Sequence, residues 1–226
     1  MIRGEKISKK YIGKRKGGKE FFAVSETDFS LEKGKLTVLT GRSGSGKSTL
    51  LNILAGLLSP SGGEVFFGEK SLYKLNDTEL SEFRNKHIGV IPQGQTAVRS
   101  LTVLENILLP YTIHGEKCPN AETAERLTRK LGIEELKNSM PSELSGGELR
   151  RMSIARAFIR EPEVIFADEP TGDLDDENTE IVLSVLKNAA KDGKAVLLVT
   201  HEREAEKYAD VLYEMNIGTL HRQLTN

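Results

Sequence analysis

The stretch "GRSGSGKST", residues 41–49, constrains this chain more than any other, because it fits the pattern G-x-x-x-x-G-K-[ST]. It follows the apolar run Leu36-Thr37-Val38-Leu39, which has strand composition, and leads into "STLLNILAGL", a nearly all-apolar segment that predicts a buried helix ending near Gly56. Strand, glycine loop and helix in that order imply an α/β core in which backbone N–H groups and the positive end of the helix dipole meet an anion. Gly41, Gly44 and Gly46 let amides approach phosphate oxygens. Lys47 reaches the β and γ phosphates as a point charge, and the Ser48 hydroxyl suits Mg²⁺. Ser43, Ser45 and Thr49 complete the candidate nucleotide-binding loop.

Such a loop needs a second group to orient a metal. "VIFADE", residues 164–169, supplies Asp168 at the C-terminal end of an apolar strand, where open α/β sheets place their ligands. Glu169, beside it, is placed to polarise an attacking water. Two adjacent acids at a strand end are costly neighbours without a cation.

A second glycine-rich stretch, "SELSGGELRRMSIARA" at 142–157, stands before another predicted helix. By itself it supports two readings. Ser145, Gly146 and Gly147 make a further anion cradle, or Ser145 and Glu148 form a capping box that merely starts the helix, with Arg150 and Arg151 on its solvent side.

The rest of the chain alternates in texture. Residues 20–31 and 62–68 suit strands, suggesting a small β layer beside the phosphate-loop core, with a turn at 32–35. A polar helix is predicted over 77–86 and a buried strand over 87–92, stopped by Pro92. From 95 to 160 no strand is predicted. Thr102 and Glu105 open a helix that Pro110 should kink or end, and a second helix over 120–131 stops at Gly132. After Pro162, strands at 164–167 and 195–199 flank a helix over 177–191. The expected fold is therefore an α/β P-loop core with a mostly parallel sheet, an antiparallel β edge and a helical insertion. The 226 residues are read as one domain, with 1–94 and 161–226 forming the core and 95–160 the helical subdomain.

Composition narrows the partners. With 32 basic and 33 acidic side chains there is no overall field for nucleic acid, and none is expected as a partner. The local basic run in residues 1–20 reads as a solvated strand-and-turn segment. A single cysteine, Cys118, excludes an intramolecular disulfide and fits a reducing compartment. No apolar run of about 18 residues exists and no signal peptide is read, so the expectation is a cytoplasmic protein that reaches a membrane only through a partner.

Taken in order and spacing, "GRSGSGKST", "LSGGE", "VIFADEP", "GDLD" and "VTH" resemble the ATP-binding subunit of an ABC transporter over almost the whole chain. The resemblance implies ATP and Mg²⁺ as cofactors and a head-to-tail pair of such subunits. In that pair Ser145, Gly146 and Gly147 of one chain cover the nucleotide on the other's phosphate loop. It implies transmembrane permease subunits as partners, a peripheral position on the inner face of the cell membrane, and ATP hydrolysis coupled to transport.

Residue by residue, Gln93 resembles the glutamine that touches metal and water, with Gln95 as a rival. Asp175 resembles the aspartate linking the two sites, and His201 the switch histidine at the γ-phosphate. Tyr11 stands where an aromatic stacks on adenine, with Phe21 and Phe22 as rivals, and Glu148 replaces a common glutamine. "ADEPTGDLD" is similar to the lipoprotein-release and macrolide or antimicrobial-peptide export branches, and the chain's end soon after "LHRQLTN" fits an exporter or extractor. The competing class is a non-transport ABC ATPase of repair or translation. Repair members need long coiled coils, and translation members typically carry two ATP modules; 226 residues accommodate neither.

Overall fold

The computed structural model describes residues 2–13, 20–118, 121–172 and 174–223. In chain order they form β1 (Ile2–Ile12), β2 (Glu20–Leu31), β3 (Leu36–Thr40), α1 (Lys47–Leu54), β4 (Gly62–Phe67), β5 (Lys70–Ser71), α2 (Asp77–His87), β6 (Ile88–Ile91) and α3 (Val103–Thr112). The chain continues through α4 (Ala121–Lys130), α5 (Gly146–Phe158), β7 (Val164–Asp168), α6 (Asp176–Lys191), β8 (Ala195–Val199), β9 (Val211–Asn216) and β10 (Thr219–Gln223).

Among these residues the strands form two sheets. A six-stranded sheet has the order β10-β9-β3-β8-β7-β6, parallel throughout except for the β9–β10 hairpin at its edge. Its central strands are apolar on both faces, as a sheet covered on both sides requires. Leu36, Val38, Ile165, Ala167, Val196 and Leu198 enter a core shared with α3, α4, α5 and α6. Leu39, Phe166, Leu197 and Val199 enter a second core with α1 and the other sheet. That second sheet is antiparallel, in the order β2-β1-β4-β5.

Phe166 is fully buried at the junction of the central sheet with α1. Phe166→Ala is expected to lower unfolding stability by about 3–5 kcal/mol, read as a shift in the urea midpoint.

Three sequence expectations are corrected. The basic N-terminal run is not just a solvated segment, because β1 is an inner strand of its sheet with Ile2 and Ile7 fully buried. Its lysines alternate irregularly because register shifts interrupt the pairing with β2 between Gly4 and Lys10. Lys14, Arg15, Lys16 and Lys19 lie outside the described residues. Of the two expectations at Pro110, a kink or an end, the end is excluded, since α3 runs to Thr112. It sits in the last turn, and its carbonyl accepts from Asn85 Nδ2 at 3.0 Å. Arg150 is not on the solvent side of α5: it is buried, and it donates to the carbonyls of Pro92 and Gly94. Arg151 turns toward α6, where it donates to Asn178 Oδ1.

Residues 95–160 hold α3, α4 and α5 and, among those described, no strand. Because β3, β6, β7 and β8 run parallel, their C-terminal ends open on one edge, and the loops leaving all four meet there.

Candidate functional site

The phosphate loop leaves β3 at that edge. Gly41 and Gly46 are required by close backbone approach: a Cβ would lie 2.3 Å from Met215 O at the first and 1.9 Å from Ala23 O at the second. Gly44, at φ +76°, instead faces open space with nothing within 4 Å. The helix that follows is left without a side-chain cap, whereas α2, α3, α5 and α6 are capped by Asn76, Thr102, Ser145 and Asp175. An uncapped N-terminus beside an open glycine turn is where backbone donors remain for an anion. The Ser45 hydroxyl, buried within the loop, also has no partner. These features fit a phosphate group.

Lys47 is buried, and its Nζ donates to the loop carbonyls of Gly41 at 2.8 Å and Arg42 at 3.0 Å. Burial pushes its pKa below the ordinary lysine value, opposed by the charges of Glu169 and Asp168. Ser48 Oγ donates to Asp168 Oδ1 at 3.0 Å. Burial holds the Asp168 carboxyl above its ordinary value despite that bond, and Glu169 adds to the rise while Lys47 opposes it. A hydroxyl and a carboxylate side by side form the hard-oxygen donor set that Mg²⁺ takes alongside phosphate oxygens.

Glu169 follows β7 in the left-handed region, at φ +44°, its N–H donating to Val199 O at 2.8 Å. That turn aims its carboxylate between two loops. Gln93 Nε2 donates to Oε2 at 3.1 Å, and His201 Nδ1 lies 3.3 Å from Oε1. The loop bearing His201 is steadied by its neighbours, since Thr171 Oγ1 donates to Glu202 Oε2 at 2.6 Å and Glu202 N donates to Thr200 Oγ1. Gln95, the rival of Gln93, lies elsewhere, in a cleft with Pro141, Leu144 and Gly146.

The predicted aromatics sit on the paired strands β1 and β2. Tyr11 and Phe21 are register partners with ring centroids 6.0 Å apart, while Phe22 lies under Lys10 Nζ. The carbonyl of Ala23, two residues from Phe21, lies against Gly46, so Phe21, with Tyr11 paired to it from β1, is on the strand that backs the phosphate loop.

The second glycine stretch is built differently from the first. Ser145 and Glu148 form a full capping box at the start of α5: Ser145 N donates to Glu148 Oε2 at 2.7 Å, and Glu148 N donates to Ser145 Oγ at 3.3 Å. The Ser145 backbone and hydroxyl hold the Glu148 carboxyl below its ordinary pKa. Asp175 caps α6 through Asn178 N at 2.8 Å, which also depresses its pKa. Asp173 of the same stretch lies outside the described residues. Sequence reasoning missed Arg150, because a basic residue just inside a capping box reads locally as solvated.

Open glycine loop, uncapped helix, seated lysine and acidic strand end together define a P-loop nucleoside triphosphatase. The chain belongs to the ABC transporter family, whose model matches residues 24–172. It is 41% identical over 195 residues to the lipoprotein-releasing system ATP-binding protein LolD of Treponema denticola, covering 85% of this chain and 86% of that one. The LolD of Idiomarina loihiensis is 34% identical, covering 99% of this chain and 97% of its own. An uncharacterized ABC transporter ATP-binding protein of Methanocaldococcus jannaschii is 37% identical, covering 97% of both. Among solved structures, the dimeric post-hydrolysis state of the ATP-binding cassette MJ0796 bound to ADP and Pi superposes with a TM-score of 0.91 at 30% identity, covering 100% of this chain and 99% of that one. The chain is an ATP-binding subunit of an ABC transporter and an ATPase.

Proposed function

We propose that two copies of this chain, or this chain and a similar one, close head to tail on ATP and part after hydrolysis, driving export or extraction of a lipophilic or peptide substrate by separate transmembrane subunits. The observation that carries the reading is the presence of two unlike glycine stretches: one open and uncapped at Gly44, the other self-capped at Ser145 on the helical segment. The open cradle serves the chain's own nucleotide, and Ser145, Gly146 and Gly147 serve the partner's. The LolD relatives, named for lipoprotein release, and the dimeric cassette structure support this direction.

Within a site, the loop amides and Lys47 bind the phosphates, and the adenine stacks on Tyr11 with Phe21 beside it. Ser48 and Asp168, with Gln93, would hold Mg²⁺, which when bound neutralises developing charge on the phosphates. Glu169 accepts the proton of the attacking water, Gln93 and His201 fix the carboxylate from its two sides, and Asp175 links the two sites. The helical segment 95–160, as a subdomain, meets the permease. Among the described residues no helix is long and apolar enough to cross a membrane, so this reading places the chain peripherally, on the inner face.

Ser145→Arg tests the shared site. It is expected to bind ATP normally as a monomer, to form no dimer with ATP by light scattering, and to lose turnover; mixing it with Lys47→Ala should restore activity, because one composite site is then intact. No gain on mixing would mean that each chain completes its own site.

A further inference from the structure

Gln93 stands on the short irregular segment between β6 and α3, and the peptide carbonyls on either side of it are both engaged. Arg150, in the second turn of α5, is 8% exposed, and its Nη1 donates to Pro92 O at 2.8 Å and Gly94 O at 3.3 Å. Gly94, at φ +77°, allows the chain to reverse so that these two carbonyls converge on one guanidinium. The Gln93 side chain meanwhile reaches Glu169 Oε2 at 3.1 Å. Farther along the same helix, Arg156 Nη1 donates to Thr96 O at 2.9 Å, so the first half of the segment is held on both sides of Gln93 by the helix that Ser145 opens.

We propose that Arg150 is a positioning residue for Gln93: by gripping the carbonyls of Pro92 and Gly94, it holds the Gln93 amide against Glu169 and ties that placement to the orientation of α5. The inference rests on the proposed role of Gln93 in turnover. Guanidinium chemistry suits the task, because a planar, permanently charged fork serves two carbonyl acceptors from one fixed position. A lysine here would offer a rotating point charge without the planar geometry, and an apolar residue would offer no donor at all. In consequence, a rotation of α5 moves Gln93 with it, so the helix start that faces a partner and the amide that contacts Glu169 shift as one body.

The test is a double-mutant cycle on ATP turnover by the full chain, using Arg150→Ala, Gln93→Ala and the pair, with KM and melting temperature measured alongside. The expected result is that Arg150→Ala lowers kcat about tenfold with KM for ATP changed less than about twofold, and that Arg150→Lys recovers part of the loss. Adding Arg150→Ala to Gln93→Ala should cost nothing further, because the first change acts only through the second residue. If the two losses multiply, or if kcat across Arg150→Ala, Arg150→Lys and Arg150→Met merely follows melting temperature, the proposal is overturned. Should Arg150→Ala fail to fold, Arg150→Met, which keeps a buried stem, carries the same cycle. Unchanged turnover in Gln93→Ala alone would remove Gln93 from the reaction and the proposal with it. A large Gln93 effect with multiplying losses would remove only Arg150.

Discussion

Glu169→Gln is expected to lower the rate of ATP hydrolysis by about 10²-fold or more while leaving ATP binding intact. The carboxylate sits between Gln93 Nε2 and His201 Nδ1, 18% exposed, and a glutamine of the same shape can still accept the Gln93 hydrogen bond through its carbonyl. What disappears is the basic oxygen that takes a proton from water. The Glu169 charge raises the Asp168 pKa, so its removal leaves Asp168 more readily ionised, while Lys47 loses one of the two charges that oppose the lowering of its pKa by burial. Single-turnover hydrolysis gives the rate, and light scattering with Mg²⁺-free ATP gives the size. A dimer formed only with ATP would support composite sites; near-normal turnover would take Glu169 out of the mechanism.

A second large effect is expected from the smallest substitution in the phosphate loop. Gly46→Ala places a methyl group 1.9 Å from the carbonyl of Ala23 at a φ of +108°, so both the conformation and the space exclude it. The expected cost is about 3 kcal/mol of stability, from left-handed strain plus overpacking against backbone that cannot rotate away. Nucleotide binding should be lost, because β2 and the start of α1 must separate. Gly44→Ala is the control: the same sign of φ, no neighbour within 4 Å, and an expected stability loss of only about 1 kcal/mol. Its binding should still weaken, because the methyl group enters the space left for a phosphate. Equal melting temperatures for Gly46→Ala and the parent chain would show that the loop does not depend on this contact.

The parts of the site written in contiguous residues were legible in the sequence. The glycine loop with its strand and helix, the acidic end of β7 and the capping boxes at Thr102 and Ser145 all stand where short-range pattern puts them. Of the two readings of "LSGGE", the capping box exists, and it does not preclude a partner's nucleotide, which the Ser145→Arg variant tests. Features that depend on distant segments were not legible. β1 was legible as a strand, but its burial was not, because register shifts break the alternation that would mark an inner face. The hairpin β9–β10 went unread, although Met215 O is one of the atoms that make Gly41 obligatory. Arg150 looks like an exposed helix residue until β6 delivers two carbonyls to it. The choice between Gln93 and Gln95 likewise needed the loop's path, which brings only the first to Glu169.

The order of the central sheet also has a consequence for how the protein is made. β3, which launches the phosphate loop, lies between β8 and β9, strands translated long after it. On a ribosome adding about 5–20 residues per second, the loop emerges early but lacks its full pair of parallel neighbours, and Met215 to shape it, until synthesis has passed β9. The phosphate loop is therefore completed late in synthesis. Its apolar β3 is without its native neighbours through most of translation, a window that favours non-native strand pairing.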